Sequence, residues 1–195
     1  MILHRLAMPI LLCALMLAAG CEEPAPGHHR HRNGGGLVSD TASVADTAFV
    51  GPEAFVQDRV IIDDFVRVEG RAIVSGDARL SGNALVSGEA QVHDRARIGG
   101  NATVSGTAKV FGDARVFGYA WVADNARVTG DAKVGGRARV YGDAKVYDNA
   151  VVGGEAQVNA SAMVYGDVQV LGGAMISGNA VLGGDVLVAA GVRSN

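Results

Sequence analysis

From Val38 to Arg193 the chain repeats a six-residue unit without one insertion or deletion. The series begins VSDTAS, VADTAF, VGPEAF, VQDRVI, IDDFVR, VEGRAI, VSGDAR and ends at VAAGVR, which makes 26 hexads over 156 residues. The first position is Val in 21 hexads and Ile or Leu in five (Ile62, Leu80, Ile98, Ile176, Leu182). The fifth is Ala in 21 and Val in five (Val60, Val66, Val168, Val186, Val192). The third is Gly in 16 and Asp in seven, with Pro52, Ala160 and Ala190 as exceptions, and the remaining positions vary freely. A period of six cannot hold one face of a 3.6-residue helix, and Gly recurs too often for one. Positions five and one lie two residues apart, so in a strand both point inward while position six points out. Gly or Asp at position three marks a tight turn that needs a positive φ. A strand and a turn every six residues leave no room for crossover helices. The chain must therefore be all-β, coiled into a solenoid whose successive coils hydrogen-bond in parallel.

The unit resembles the hexapeptide-repeat left-handed β-helix family, the bacterial transferase hexapeptide-like repeat proteins, in its aliphatic first residue, nearby Gly and small fifth residue. The resemblance covers Val38 to Arg193 and implies a left-handed parallel β-helix with three hexads per coil. About 26 hexads then form 8–9 triangular coils, and at ~4.8 Å per coil the prism is roughly 40 Å long. Gly stands at position three here, where the family's commonest form has it at position two. In that respect the chain is similar to repetitive bacterial proteins that are labelled acyltransferases without an established activity.

The segment before the repeats reads differently. Leu6 to Ala19 (LAMPILLCALMLAA) is an apolar stretch behind Arg5, too short to span a bilayer and laid out like a secretory signal. It closes on Leu17-Ala18-Ala19-Gly20-Cys21, which resembles the bacterial lipoprotein signal. The resemblance implies that residues 1–20 are removed and that Cys21 becomes the acylated N-terminus, carrying palmitate-type chains. Cys13 would leave with the signal, so the chain's two Cys define no disulfide framework. Residues 21–37 follow as a flexible His- and Gly-rich linker by composition. His28, His29 and His31 within it are candidate metal ligands, although Arg30 and Arg32 beside them repel cations. No cofactor is expected. A net charge of −3 leaves no electrostatic footprint for nucleic acid.

With three hexads per coil, side chains at the same position three hexads apart stack. One outward column reads Arg79, Arg97, Arg115, Lys133, and Asp77, Asp113 and Asp131 lie two residues before three of its members, where they can pair with it. The column reads as a solvated charge ladder, or as a site for an anionic glycan or lipid headgroup. Tyr119 and Trp121 fall beside Arg137, Arg139 and Tyr141 one coil on, with Trp121 and Arg139 expected to stack as a cation–π pair. That composition is typical of a contact hot spot. Outward Phe49, Phe55, Ile61, Phe65 and Ile73 in the first coils mark either a subunit interface or a surface covered by the linker folding back.

His93 is the one His within the repeats and hence the candidate general base of a trimeric hexapeptide acyltransferase, with Asp94 adjacent. No insertion between hexads supplies the loop that would shape a pocket around it. The expected function is therefore non-enzymatic. It is a lipoprotein of the bacterial envelope, held in the outer membrane in preference to the inner through Cys21, presenting a rigid rod as spacer, scaffold or binding surface. An acyltransferase and a self-assembling rod are the alternatives, with a homotrimer or end-to-end association as the corresponding oligomers.

Overall fold

The computed structural model describes residues 24–194. It contains no helix among them and winds the repeats into a three-sided parallel solenoid. Three sheets of 10, 9 and 9 strands form the sides, and apart from the first strand, which pairs with the second, each strand is followed in its sheet by the one three places later in the chain. Most strands are the dipeptide of positions six and one, such as Phe49–Val50, Arg79–Leu80 and Trp121–Val122. Paired residues lie three hexads apart throughout the body: Leu85 faces Thr103, Gln91 faces Lys109, and Arg97 faces Arg115.

The inward set is the one periodicity predicts. Positions five and one form a single continuous column of buried Ala and Val, with Ile62, Leu80, Ile98 and Ile176 as its largest fully buried members. Small residues suffice because the prism is narrow, and their burial removes nearly all of their apolar surface from water.

Through the body of the rod each repeat contributes three hydrogen bonds between coils. Arg67, Glu69 and Arg71, spanning the junction of two hexads, donate their backbone N–H groups to the carbonyls of Ala84, Val86 and Gly88, at 2.9, 2.8 and 2.7 Å. Through the body of the rod, positions six, two and four thus donate, and positions five, one and three of the next coil accept.

Through the body of the rod the turn takes a positive φ at position three. Glycine supplies it at Gly76 (φ 74°) and Gly112 (φ 75°), and Asp58, Asp64, Asp94, Asp124 and Asp148 adopt the same conformation. A Cβ at this position would meet the backbone of the next coil at about 3 Å, as between Gly100 and Gly118. Asp solves that crowding by hydrogen bonding. Each of those five carboxylates accepts the N–H of the position-three Gly one coil on: Asp58 from Gly76 and Asp64 from Gly82 at 2.8 Å, Asp94 from Gly112 and Asp124 from Gly142 at 3.0 Å, and Asp148 from Gly166 at 3.2 Å. The first coil departs from this rule, since Asp40, Asp46 and Pro52 do not take a positive φ; for Pro52 the ring forbids it.

Two corrections concern the ends. Part of the segment that composition marks as linker is built into the fold. Strand β1 (His28–Arg30) pairs antiparallel with β2 (Leu37–Ser39), and Asn33 and Gly36 exchange backbone bonds with Val50 at 3.0 and 2.9 Å. This hairpin covers the N-terminal edges of two of the three sheets, at Leu37–Ser39 and Phe49–Val50, which would otherwise expose unpaired N–H and C=O groups. Gly34 lies against Phe49, so the linker does fold back over that ring, while Phe65 is 64% exposed.

At the other end the last hexad falls out of step. Gly191, not Ala190, takes the positive φ, and Val192 aligns with Met175, one residue short of the three-hexad offset. The repeat reads as unbroken to Arg193, but the terminal turn is one residue short.

These turns predict a substitution pattern. Gly100→Val should cost about 3 kcal/mol or more, because a β-branched residue is strained at positive φ and meets Gly118. Gly100→Asp should cost about 1 kcal/mol or less, since its carboxylate can accept the Gly118 N–H. Guanidinium unfolding midpoints of the two variants, set against wild type, check the order.

Candidate functional site

The strand register sets Arg79, Arg97, Arg115 and Lys133 directly over one another on the outer surface of one sheet. The expected neutralisation of this column by Asp77, Asp113 and Asp131 does not occur. Asp77 pairs with Arg59 at 2.9 Å and Asp113 with Arg95 at 2.5 Å, and among the described residues no carboxylate lies within ion-pair distance of the four cations. The reason is geometric. Position-four side chains point along a prism edge, where their nearest partners are the same position one coil away. The edge columns follow this rule generally: Arg71 with Glu89, Asn83 with Asn101, Asn125 with Asp143, Arg137 with Glu155, Asn149 with Asp167. Acids are thus consumed along the edges, and the ladder on the flat side keeps its charge.

An open trough of about 530 Å³ runs along this ladder. The cations form one wall, Ser81 and Gly99 form a floor with almost no side chain, and Asp63 and Phe117 close the two ends. Phe117 is 48% exposed and its ring lies on Gly135, where any Cβ would run into it. Sequence reasoning missed this trough, although its signal was present: Ser81, Gly99 and Phe117 lie two residues after three ladder members.

The aromatic patch is assembled as expected, but its contacts differ. Trp121 faces Arg139 in the strand register, yet its ring stacks on Tyr141 at 5.9 Å, and the cation–π contact found is Arg67 over Phe49 at 5.8 Å. Tyr141 Oη donates to Gln157 at 3.4 Å and accepts from Asn159 at 2.9 Å. Arg137 reaches Glu155 at 3.7 Å, an exposed pair that contributes little. Tyr119 and Trp121 remain outward, at 65% and 37% exposure.

His93 lies on a flat face, its ring stacked on Phe111 at 4.8 Å with Nδ1 3.3 Å from Asp94. The trough lies on a different side of the prism. Asp94 is held below the usual carboxylate range, chiefly because it accepts the Gly112 N–H, which outweighs the opposing desolvation, with His93 and Arg95 assisting. The three linker histidines do not converge. His28 reaches the Pro26 carbonyl, His29 Nδ1 lies 3.0 Å from Asp40, and His31 is buried with Nδ1 3.0 Å from the Asn33 carbonyl and Nε2 unpartnered. No group of three metal-ligating side chains occurs among the described residues. Cys21 lies outside them.

Fold and register define a parallel β-solenoid repeat protein. A family model described as the YdcK beta solenoid repeat matches residues 78–94, 96–108 and 138–154, within the body of the rod and across part of the ladder. No curated protein matches the chain.

Two predictions arise here. Stacked like charges oppose folding by on the order of 1 kcal/mol per adjacent pair before salt screening. Arg97→Gln with Arg115→Gln should therefore leave the thermal midpoint unchanged or raise it, most visibly at low salt. Asp94→Ala should destabilise the rod at neutral pH. Because the folded pKa of Asp94 is depressed, its contribution is present above about pH 4 and is lost as pH falls through the folded value. Midpoints of wild type and variant should converge in acid, which thermal melts across that range would show.

Proposed function

We propose that the chain is a lipoprotein of the bacterial envelope, of the hexapeptide-repeat class, anchored through acylated Cys21 and presenting its solenoid as a rigid spacer, scaffold or binding surface. The observation that carries this reading is the unbroken ladder of bonds between coils, three per hexad, over the body of the rod. A lattice of that kind resists bending, which suits display at a distance. The N-terminal hairpin supports the same reading, because it covers two of the three sheet edges at the end of the rod that lies toward Cys21 in the chain. Among the described residues no helix is long and apolar enough to cross a membrane, so anchoring in this account falls to the lipid. Several acyl chains anchor stably where one does not. The outer membrane is the favoured location, since Glu22 is not the Asp that commonly retains lipoproteins in the inner one.

The acyltransferase alternative draws no support from the surroundings of His93, whose ring is packed against Phe111 on an open face. End-to-end self-association draws some. Val181 and Leu187 in the last full coil are 54% and 63% exposed beside strands that have no further partner in the described chain. The hairpin at the opposite end makes head-to-tail stacking the less favourable arrangement.

Cys21→Ser should abolish incorporation of labelled palmitate and leave either an uncleaved precursor or a protein absent from the membrane fraction. Cys13→Ser should change neither. Normal processing of Cys21→Ser with continued sedimentation in membranes would reject the lipid anchor.

A further inference from the structure

We propose that the trough beside Arg79, Arg97, Arg115 and Lys133 binds a linear anionic glycan laid along the rod axis, with about one carboxylate per coil. This site rests on the reading of the rod as a binding surface and is independent of the anchor at Cys21.

Spacing favours it first. Successive ladder cations are one strand separation apart, about 4.8 Å, which is close to the advance of a glycan chain per sugar ring. A carboxylate on each ring then meets a cation at each coil, in charge-assisted pairs of the strong kind.

Width favours it next. The prism edge beside the ladder carries Arg59, Asp77, Arg95, Asp113 and Asp131; Asp77 and Asp113 are spent on the two arginines, and Asp131 has no ion-pair partner among the described residues. A bilayer or a nucleic-acid duplex broad enough to reach all four cations would also press on Asp131 and on this edge of paired charges. A chain one residue wide lies inside that edge.

Shape points the same way. The floor of Ser81 and Gly99 leaves room for rings to lie flat, and Phe117, its exposed ring lying over Gly135, adds an apolar face where it lines the trough. Such a face suits the C–H side of a sugar and has no use for a phosphate chain. Finally, the fold does not need the charges. The same column holds Ile61 before the ladder, and Val151 and Gln169 after it. Four stacked cations are a local cost that a polyanion would turn into a gain.

The test uses the purified mature chain in detergent and a fluorescent oligogalacturonate, with binding read by anisotropy. Saturable binding is expected, weakened about tenfold or more by Arg97→Gln with Arg115→Gln, as expected for two lost ionic contacts. Arg97→Lys with Arg115→Lys should retain most of the affinity. Lys109→Gln with Arg127→Gln, which removes equal charge from another face, should change it by less than about twofold. Phe117→Ala should weaken binding, and a neutral glucan of equal length should not compete. Circular dichroism melts establish that each variant is folded. Equal losses from the two faces, or no binding of oligogalacturonate, would overturn the proposal. So would preferential binding of polyphosphate, single-stranded DNA or anionic vesicles. Failure here leaves the Cys21→Ser fractionation result untouched, so the two readings fail separately.

Discussion

A chain that hydrogen-bonds to itself one coil away must turn once in every hexad, and through the body of the rod that turn is closed by a third residue at positive φ. The other features of the rod depend on that constraint. It selects Gly, and it admits Asp because the carboxylate converts a crowded approach into a bond with the next coil, as Asp58 does with Gly76. It keeps the backbone N–H groups of positions two, four and six aimed at carbonyls on the following coil. Because the turn never varies in length through the body of the rod, side chains three hexads apart stay stacked. Where the length does change, at Gly191, the register shifts with it.

Much of this was readable in the letters alone. Two-residue spacing of Ala and Val specified the inward face, and Gly or Asp at position three specified the turn. The ladder and the aromatic patch followed once a coil of three hexads was granted. What escaped were features the period does not encode. The hairpin of His28–Arg30 has no apolar alternation, and its order comes from the strand edge it covers. Trp121 stacks on Tyr141 and not on Arg139, because side-chain rotamers decide between neighbours that register alone makes equal. For the carboxylates, proximity in sequence misleads, because proximity along the prism edge decides the partner. Asp77 is two residues from Arg79 but bonds to Arg59, three hexads away.

Charge segregation is the consequence with functional weight. Edges absorb acids into axial pairs, and one flat side is left with a straight run of cations above a trough floored by Ser81 and Gly99. A solenoid is suited to such an arrangement, since one residue choice repeated once per coil writes a line of identical groups on a stiff support. In the proposed function the rod serves as a ruler as well as a spacer.

The claim on which all of this rests is the stacking of every third hexad, and a distance along the rod tests it most directly. Ile73 and Met163 occupy the same outward column five coils apart. Nitroxide labels at Cys placed in these two positions, with Cys13 and Cys21 replaced, should give a narrow electron-resonance distance distribution near about 24 Å, five strand spacings. A broad distribution, or a distance near about 36 Å as a coil of two hexads would give, would contradict the account.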